Sequence, residues 1–342
     1  MFSSEQYSLL DFGNGRRLER FGELTLDRPC LFANGVDKGR YEIWRETDLQ
    51  FVELNSSRKF STKKKLPLLM ERGNWIPTSG RGHCFYSSES HCVTFEQVLD
   101  KGGVRPWLLQ FSDHFFLELR VSPFGHIGVF PEQAENWDRI LRLCQICFEK
   151  LGRPPRILNL FGYTGGSTLA AATVGAEVTH LDASRGVVEQ ARRNANLSML
   201  NGSYKSFGKI RWIVEDAVKF VKRENKRKSQ YDGIILDPPT YGHGPHGEVW
   251  RLMRDLQPLL DNVVNLLTEN FSFVMLTGHT PKFESHVLEC MLRNSINKRF
   301  RGRVNVQYSN KVLILKSVCG RGLYSGDLAL VVLGRDKFFT TI

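Results

Sequence analysis

Four short segments of this chain put glycines, carboxylates and prolines where a ligand would meet a backbone turn. In NLFGYTGGSTLA, Gly162, Gly165 and Gly166 let the main chain turn sharply and approach a ligand at the start of a helix. About twenty residues further on, Asp182 ends EVTHLD, where a carboxylate can accept both hydroxyl protons of a ribose. Asp216, in VEDAV, is placed to meet the amino group of an adenine or to cap the helix that follows it. In DPPTYG, Asp237 to Gly242, two prolines fix the backbone and remove two donors, leaving a carboxylate and carbonyls as acceptors beside the aromatic Tyr241. That set suits a planar group bearing an NH₂. The dinucleotide pattern GxGxxG is not met, because Thr164 stands at its second glycine.

The elements that must position these turns alternate in type. A helical period starts near residue 133 in QAENWDRILRLCQICFEKL and is ended by Gly152 and the pair Pro154-Pro155. Strand RILNLF then leads into helix STLAAATVG, EVTHLD into SRGVVEQARRNANLSML, and IRWIVED into AVKFVKRE. GIILDPP is followed by a helix over VWRLMRDLQPLLDNVVNLLT and by strand SFVMLT. Such a series specifies a parallel sheet with helices on both faces, and VLILK and LALVVLG are expected to close it as an antiparallel edge pair. Ligands of open α/β sheets bind at the carboxyl ends of the strands, where all four turns fall. The expected fold is therefore α/β, a Rossmann-like doubly wound sheet of seven strands over residues 121–342.

Residues 1–120 read as a β-rich domain. YSLLDF and RRLERF flank Asn14-Gly15, a strong hairpin signal, and YEIW, DLQFVEL, HCVTFEQV, PWLLQF and FFLELRV are further strand candidates. SSRKFSTKKK reads as a polar, basic loop. No internal repeat or long low-complexity tract is present.

Composition narrows the function classes. The 342 residues are 41% hydrophobic and 24% charged, proportions of a globular protein with a real core. No apolar run reaches the ~18 residues of a membrane span, and MFSSEQYSLLDFGNG lacks a basic start followed by an apolar stretch, which points to the cytoplasm. Seven cysteines at irregular spacing read as reduced thiols, with Cys144 and Cys147 on a helix core face. His83, Cys84, His91 and Cys92 alternate across a strand and do not readily share one ion, so no metal is expected. Residues 1–150 hold 20 basic and 20 acidic side chains, so the whole net charge of +11 lies beyond them. Its clusters, KFVKRENKRK at 219–228 and KRFRGR at 298–303, favour a polyanionic partner.

In this order and spacing, LNLFGYTGG, HLDAS, VEDA and ILDPPTYG resemble the class I S-adenosylmethionine-dependent methyltransferases. Within that class the chain is most similar to the bacterial large-subunit (23S) ribosomal RNA methyltransferase family, whose members modify a cytosine carbon or a guanine nitrogen. GVFPEQAENW is similar to that family's segment over the cofactor, although Pro131, Glu132 and Trp137 depart from its pattern. The resemblance implies S-adenosylmethionine as cofactor and RNA as substrate. It implies that Phe161, Gly162, Thr164, Gly165 and Gly166, with Asn159, hold the methionine end. Asp182, with Ala183 and Ser184, would hold the ribose, and Asp216 with Ala217 the adenine. Phe130 and Gln133 would lie over the cofactor, and Asp237, Pro238 and Tyr241 would face the substrate.

Relatives that methylate cytosine carbon place a cysteine after the fifth strand, where this chain reads Thr277, Gly278 and His279, and DPPTYG has no thiol either. Transfer to nitrogen is therefore expected, with Tyr241 stacked on the base and His279 orienting substrate or capping its turn. The rival readings are a methyltransferase for a small molecule or protein, and a non-catalytic RNA-binding module. A nicotinamide-dependent dehydrogenase is disfavoured by Thr164 and the proline pair.

Overall fold

The computed structural model describes residues 1–54, 72–78, 96–98, 104–202, 204, 206–280 and 283–335. The loop SSRKFSTKKK and His83, Cys84, His91 and Cys92 lie outside the described residues. The chain divides into two compact units, Met1–Pro131 with Ile314–Tyr324, and Glu132–Leu313 with Ser325–Ile342.

In the first unit, five strands pair in sequence order: β1 (Tyr7–Gly13), β2 (Arg16–Phe21), β3 (Leu24–Pro29), β4 (Leu49–Glu53) and β5 (Gly73–Pro77). The β1–β2 turn is the expected tight one, with Asn14 at φ 51° and Gly15 at φ 73°, the left-handed pair that matches strand twist. Two short hairpins follow, β6 (Glu96–Val98) with β7 (Val104–Pro106), and β8 (Leu108–Phe111) with β9 (Phe115–Glu118). Leu18, Phe21, Leu26, Phe51, Leu109, Phe111 and Phe115 are wholly buried. Residues 314–324 return to this unit late in the chain, and Leu323 packs with Leu9, Phe12, Cys30 and Ala33.

YEIW is not a strand; Tyr41–Glu46 is a 3₁₀ turn. The cause is tertiary. The buried Asp11 carboxylate accepts the N–H groups of Gly39 (3.0 Å) and Arg40 (3.0 Å), the Trp44 indole N–H (2.8 Å) and the Arg321 guanidinium (2.8 Å). Four donors converging on one carboxylate wind that segment around it and override a local β preference.

The second unit is the expected seven-stranded sheet. Its strands are β10 (Arg156–Leu160), β11 (Glu177–Asp182), β12 (Ile210–Val214), β13 (Gly233–Leu236), β16 (Phe271–Gly278), β17 (Asn305–Lys316) and β18 (Gly322–Gly334), in the order β12-β11-β10-β13-β16-β18-β17. The first five are mutually parallel, and β18 runs antiparallel to β16. Every residue of β13 and β16 is buried, as helices on both faces of a parallel sheet require. Those helices are α1 (Ala134–Leu151), α2 (Gly166–Ala172), α3 (Arg185–Asn201), α4 (Ala217–Lys226), α5 (Leu252–Val263) and α6 (Ser285–Phe300). Gly152 ends α1 at φ 64° with its N–H on the Phe148 carbonyl. Cys144 and Cys147 are buried on α1, and burial pushes both thiols far above their ordinary pKa, so they serve as packing.

The fifth helix starts later than its periodicity suggests. Val249–Arg251 form β15, paired with β14 (Tyr241–His243). The Trp250 indole donates to the Pro239 carbonyl (2.7 Å), and Asp255 accepts the Arg251 N–H (2.8 Å), fixing the helix start at Leu252.

Candidate functional site

The turn after β10 holds two non-glycine residues in the left-handed region, Phe161 at φ 58° and Tyr163 at φ 49°. Such backbone costs about 1–3 kcal/mol per residue and persists only where the surroundings impose it. Here they do. A Cβ on Gly162 would overlap the His180 ring, one on Gly165 (φ 95°) would lie 3.1 Å from Ala191 Cβ, and one on Gly166 would overlap the Trp137 indole. All three glycines thus serve close packing behind the turn as well as its curvature.

Beneath it runs a buried polar chain. Asn159 Nδ2 donates to Thr168 Oγ1 (2.8 Å), which lies 2.8 Å from His180 Nδ1, and Asn194 Nδ2 donates to the Thr164 carbonyl (2.9 Å). Burial lowers the His180 pKa to about 3, so its ring is neutral. Asn159, 1% exposed, braces the turn from below.

Asp182 ends β11. Its two oxygens accept one backbone N–H each, from Tyr163 (3.0 Å) and Ser184 (2.9 Å), so the carboxylate ties the turn after β10 to the start of α3. Burial pushes its pKa up against those bonds. Ala183 is half-buried and Ser184 exposed. Asp216 caps α4, accepting the Lys219 N–H at 2.9 Å, with Ala217 buried behind it. Phe130 falls in the first unit, its ring edge-on to His126 at 5.4 Å.

After β13 the chain builds a second cluster. Asp237 Oδ1 accepts the Thr277 hydroxyl (2.5 Å) and His279 Nε2 (3.1 Å), and Oδ2 accepts the Gln133 amide (3.1 Å). Gln133 is held in turn by Asn136, whose amide donates to Gln133 Oε1 (2.8 Å). His279 Nδ1 lies 2.8 Å from the Ser325 carbonyl. Burial alone lowers the imidazole pKa, but the charge and hydrogen bond of Asp237, the charge of Glu132 and the Ser325 carbonyl raise it to about 9. Burial likewise pushes Asp237 up, and His279 and Thr277 outweigh it, holding the carboxyl below its ordinary value.

The Thr240 and Thr280 hydroxyls, 2.5 Å apart, hold the DPPT turn to the turn after β16. Pro238 is buried, and the Pro239 carbonyl is spent on Trp250, so Asp237 is the principal acceptor of this segment. Tyr241 is 38% exposed, its hydroxyl 3.2 Å from His243 Nε2 and the two rings edge-on. Sequence reasoning put Gln133 over the cofactor and overlooked Asn136; the available signal was a polar residue in the buried stripe of α1. Among the described residues, no group of three or more His, Cys, Asp or Glu side chains could hold a metal ion, and no helix is long and apolar enough to cross a membrane.

Residues 138–305 match the S-adenosylmethionine-dependent methyltransferase family model. Among curated proteins, the ribosomal RNA large subunit methyltransferase K/L of Shewanella frigidimarina is 34% identical over 133 residues, 38% of this chain and 18% of that protein. Its namesake in Pseudoalteromonas atlantica is 35% identical over 113 residues, 32% of this chain and 15% of the relative. The chain thus spans under a fifth of the length of these relatives. A solved S-adenosylmethionine-dependent methyltransferase from Agrobacterium tumefaciens is 29% identical, with a TM-score of 0.73, over 96% of this chain and 92% of that one. The sheet order, the turn after β10, the carboxylate ending β11 and these matches agree: residues 138–305 are an S-adenosylmethionine-dependent methyltransferase domain, whose cofactor is S-adenosylmethionine.

Proposed function

We propose that the chain methylates a base nitrogen in RNA, with ribosomal RNA the favoured substrate. The substrate class is supported by the names of the curated relatives and by the cationic surplus of residues 151–342. The reaction class is carried by one observation: an anionic Asp237, held by Gln133, Thr277 and His279 after β13, with no thiol in that turn or the one after β16. An RNA substrate places the work in the cytoplasm.

The residues at the carboxyl edge fit the cofactor. Each Asp182 oxygen keeps a lone pair after accepting one N–H, which suffices for the two hydroxyls of a ribose. In this reading Phe161, Gly162, Thr164, Gly165 and Gly166 hold the methionine end, Ala183 and Ser184 flank the ribose, and Asp216 and Ala217 meet the adenine. S-adenosylmethionine, when bound, supplies an electrophilic methyl group on a sulfonium. The protein must align the nucleophile with it and exclude water. Three donors occupy Asp237 and leave one acceptor direction on Oδ2, enough to hold a substrate N–H and aim its nitrogen. A carboxyl with a lowered pKa is a weak base, so Asp237 orients the amine and does not deprotonate it beforehand. Gln133 belongs to this substrate side, Asn159 braces the turn, and Tyr241 offers an exposed ring for stacking.

The test is incubation with tritiated S-adenosylmethionine and ribosomal RNA from a strain lacking the gene, followed by mapping of the label. Label on a base nitrogen supports the reading; label on carbon, or on protein or small molecules alone, overturns it.

A further inference from the structure

Five of the ten cations in the two basic runs are paired with carboxylates. In the run 219–228, Lys219 pairs with Glu248, Arg223 with Glu215 and Arg227 with Glu224; in 298–303, Lys298 pairs with Asp261 and Arg303 with Glu269. Among the described residues, Arg156, Lys209 and Arg211 have no such carboxylate partner, and they come together from three separate stretches of chain.

Arg156 opens β10, Lys209 precedes β12 and Arg211 is its second residue. The parallel register sets Arg156 opposite Glu177 and Thr179 opposite Arg211. Cross-strand partners and residues two apart share a face, so these four side chains point to one side of the sheet. α4 packs on that side, since Arg211 lies 5.9 Å over the Phe220 ring. There Arg156, Lys209, Arg211 and Arg227 line a cavity of about 380 Å³ together with Glu177, Glu224 and Tyr231.

The charge balance of this cavity is positive. Glu224 is already committed, accepting the Tyr231 hydroxyl (3.0 Å) and the Arg227 guanidinium (3.2 Å). The end of α4 would repel an anion through its free carbonyls, but the N–H groups of Arg227, Lys228 and Ser229 cover those of Arg223, Asn225 and Glu224. Arg156 rests over the Tyr231 ring at 5.7 Å, which orders its guanidinium without neutralising it. Because the cavity sits at the amino ends of the strands, the length of β11, about 20 Å at ~3.3 Å per residue, separates it from Asp182.

We propose that this pocket binds phosphodiesters of the RNA substrate remote from the modified base. Guanidinium groups pair with phosphate oxygens two at a time, and the four cations of the cavity outnumber its two carboxylates, Glu177 and Glu224, a surplus that suits a multiply charged backbone better than a neutral ligand. The proposal rests on the RNA reading above.

The test compares the wild-type chain with Arg156→Gln/Lys209→Gln/Arg211→Gln and with a charge-matched control, Arg142→Gln/Lys150→Gln/Arg192→Gln, whose sites are exposed on α1 and α3. Ribosomal RNA binding is measured against salt, with S-adenosylmethionine affinity and turnover at saturating RNA alongside. Expected is a binding slope flattened by about 2, at roughly 0.7 per phosphate contact to a single strand, in the pocket variant only, with cofactor affinity and saturated turnover unchanged. Should the triple variant fail to fold, Lys209→Gln alone, which leaves both ring contacts intact, is expected to flatten the slope by about 0.7. An unchanged slope, or equal flattening in the control, overturns the pocket while a wild type that still methylates RNA leaves the RNA reading standing. A wild type that neither binds nor methylates RNA overturns both.

Discussion

His279 presents Nε2 to Asp237 Oδ1 at 3.1 Å, with the Gln133 amide nitrogen 3.2 Å away, while its other nitrogen meets the Ser325 carbonyl at 2.8 Å, and the carboxylate raises the imidazole pKa to about 9. The pair keeps Asp237 ionised at the point where a substrate amine would be aimed.

That pairing has a pH signature. The folded-state pKa of His279, about 9, lies above its ordinary 6.5, so its contribution to stability is complete below 6.5 and is lost as pH rises through 9. Asp237 has the opposite sign: its contribution is present above its ordinary 3.8 and is lost as pH falls through the lower folded value. Urea unfolding from pH 6 to 10 is expected to show the stability gap between wild type and His279→Asn narrowing from about pH 6.5 and levelling off above about pH 9. A constant gap means that the ring is neutral throughout.

Asp182→Ala is expected to weaken S-adenosylmethionine and its demethylated product alike, by about 1–3 kcal/mol, the loss of a charge-assisted acceptor. Calorimetry checks it, and equal affinities remove Asp182 from the ribose.

Gln133→Leu separates two roles. Since its amide donates to Asp237, turnover is expected to fall about tenfold, roughly 1.4 kcal/mol, with cofactor affinity nearly unchanged. If the loss appears instead in cofactor binding, Gln133 serves the cofactor after all.

Gly166→Ala forces a methyl group into the Trp137 indole and is expected to cost about 1–3 kcal/mol of stability in urea. A second change, Trp137→Leu, is expected to make the alanine better tolerated; additive losses would place the strain elsewhere.

RNA carrying 5-fluorocytosine is expected to leave no covalent adduct, and serine at each cysteine in turn to leave activity intact, because transfer to nitrogen needs no enzyme thiol. One trapped adduct reverses the assignment to nitrogen.

Legibility in the sequence followed the range of the interactions. Strands such as GIIL and SFVMLT, and the helices between them, are written in local hydrophobic pattern, so the sheet and the turns at its carboxyl edge were readable, Gly162 and Asp182 among them. YEIW misled because Asp11, thirty residues earlier, gathers its neighbours' donors. VWR misled because the Trp250 indole reaches back to Pro239. Gln133 and Asp237 are 104 residues apart, and no spacing rule joins them. The basic runs were legible as charge, but which of their members are paired was not, since Glu248, Glu215, Asp261 and Glu269 lie outside the runs.

The late return of residues 314–324 to the first unit has a consequence for how the protein is made. When residues 1–131 have left the ribosome, Asp11 still lacks Arg321, and the cluster of Leu9 and Phe12 still lacks Leu323. The amino-terminal unit therefore cannot be finished as it emerges, although domains ordinarily fold in order of synthesis. It must wait, with Asp11 short of its guanidinium partner and part of its core open, until the second sheet has been almost entirely translated.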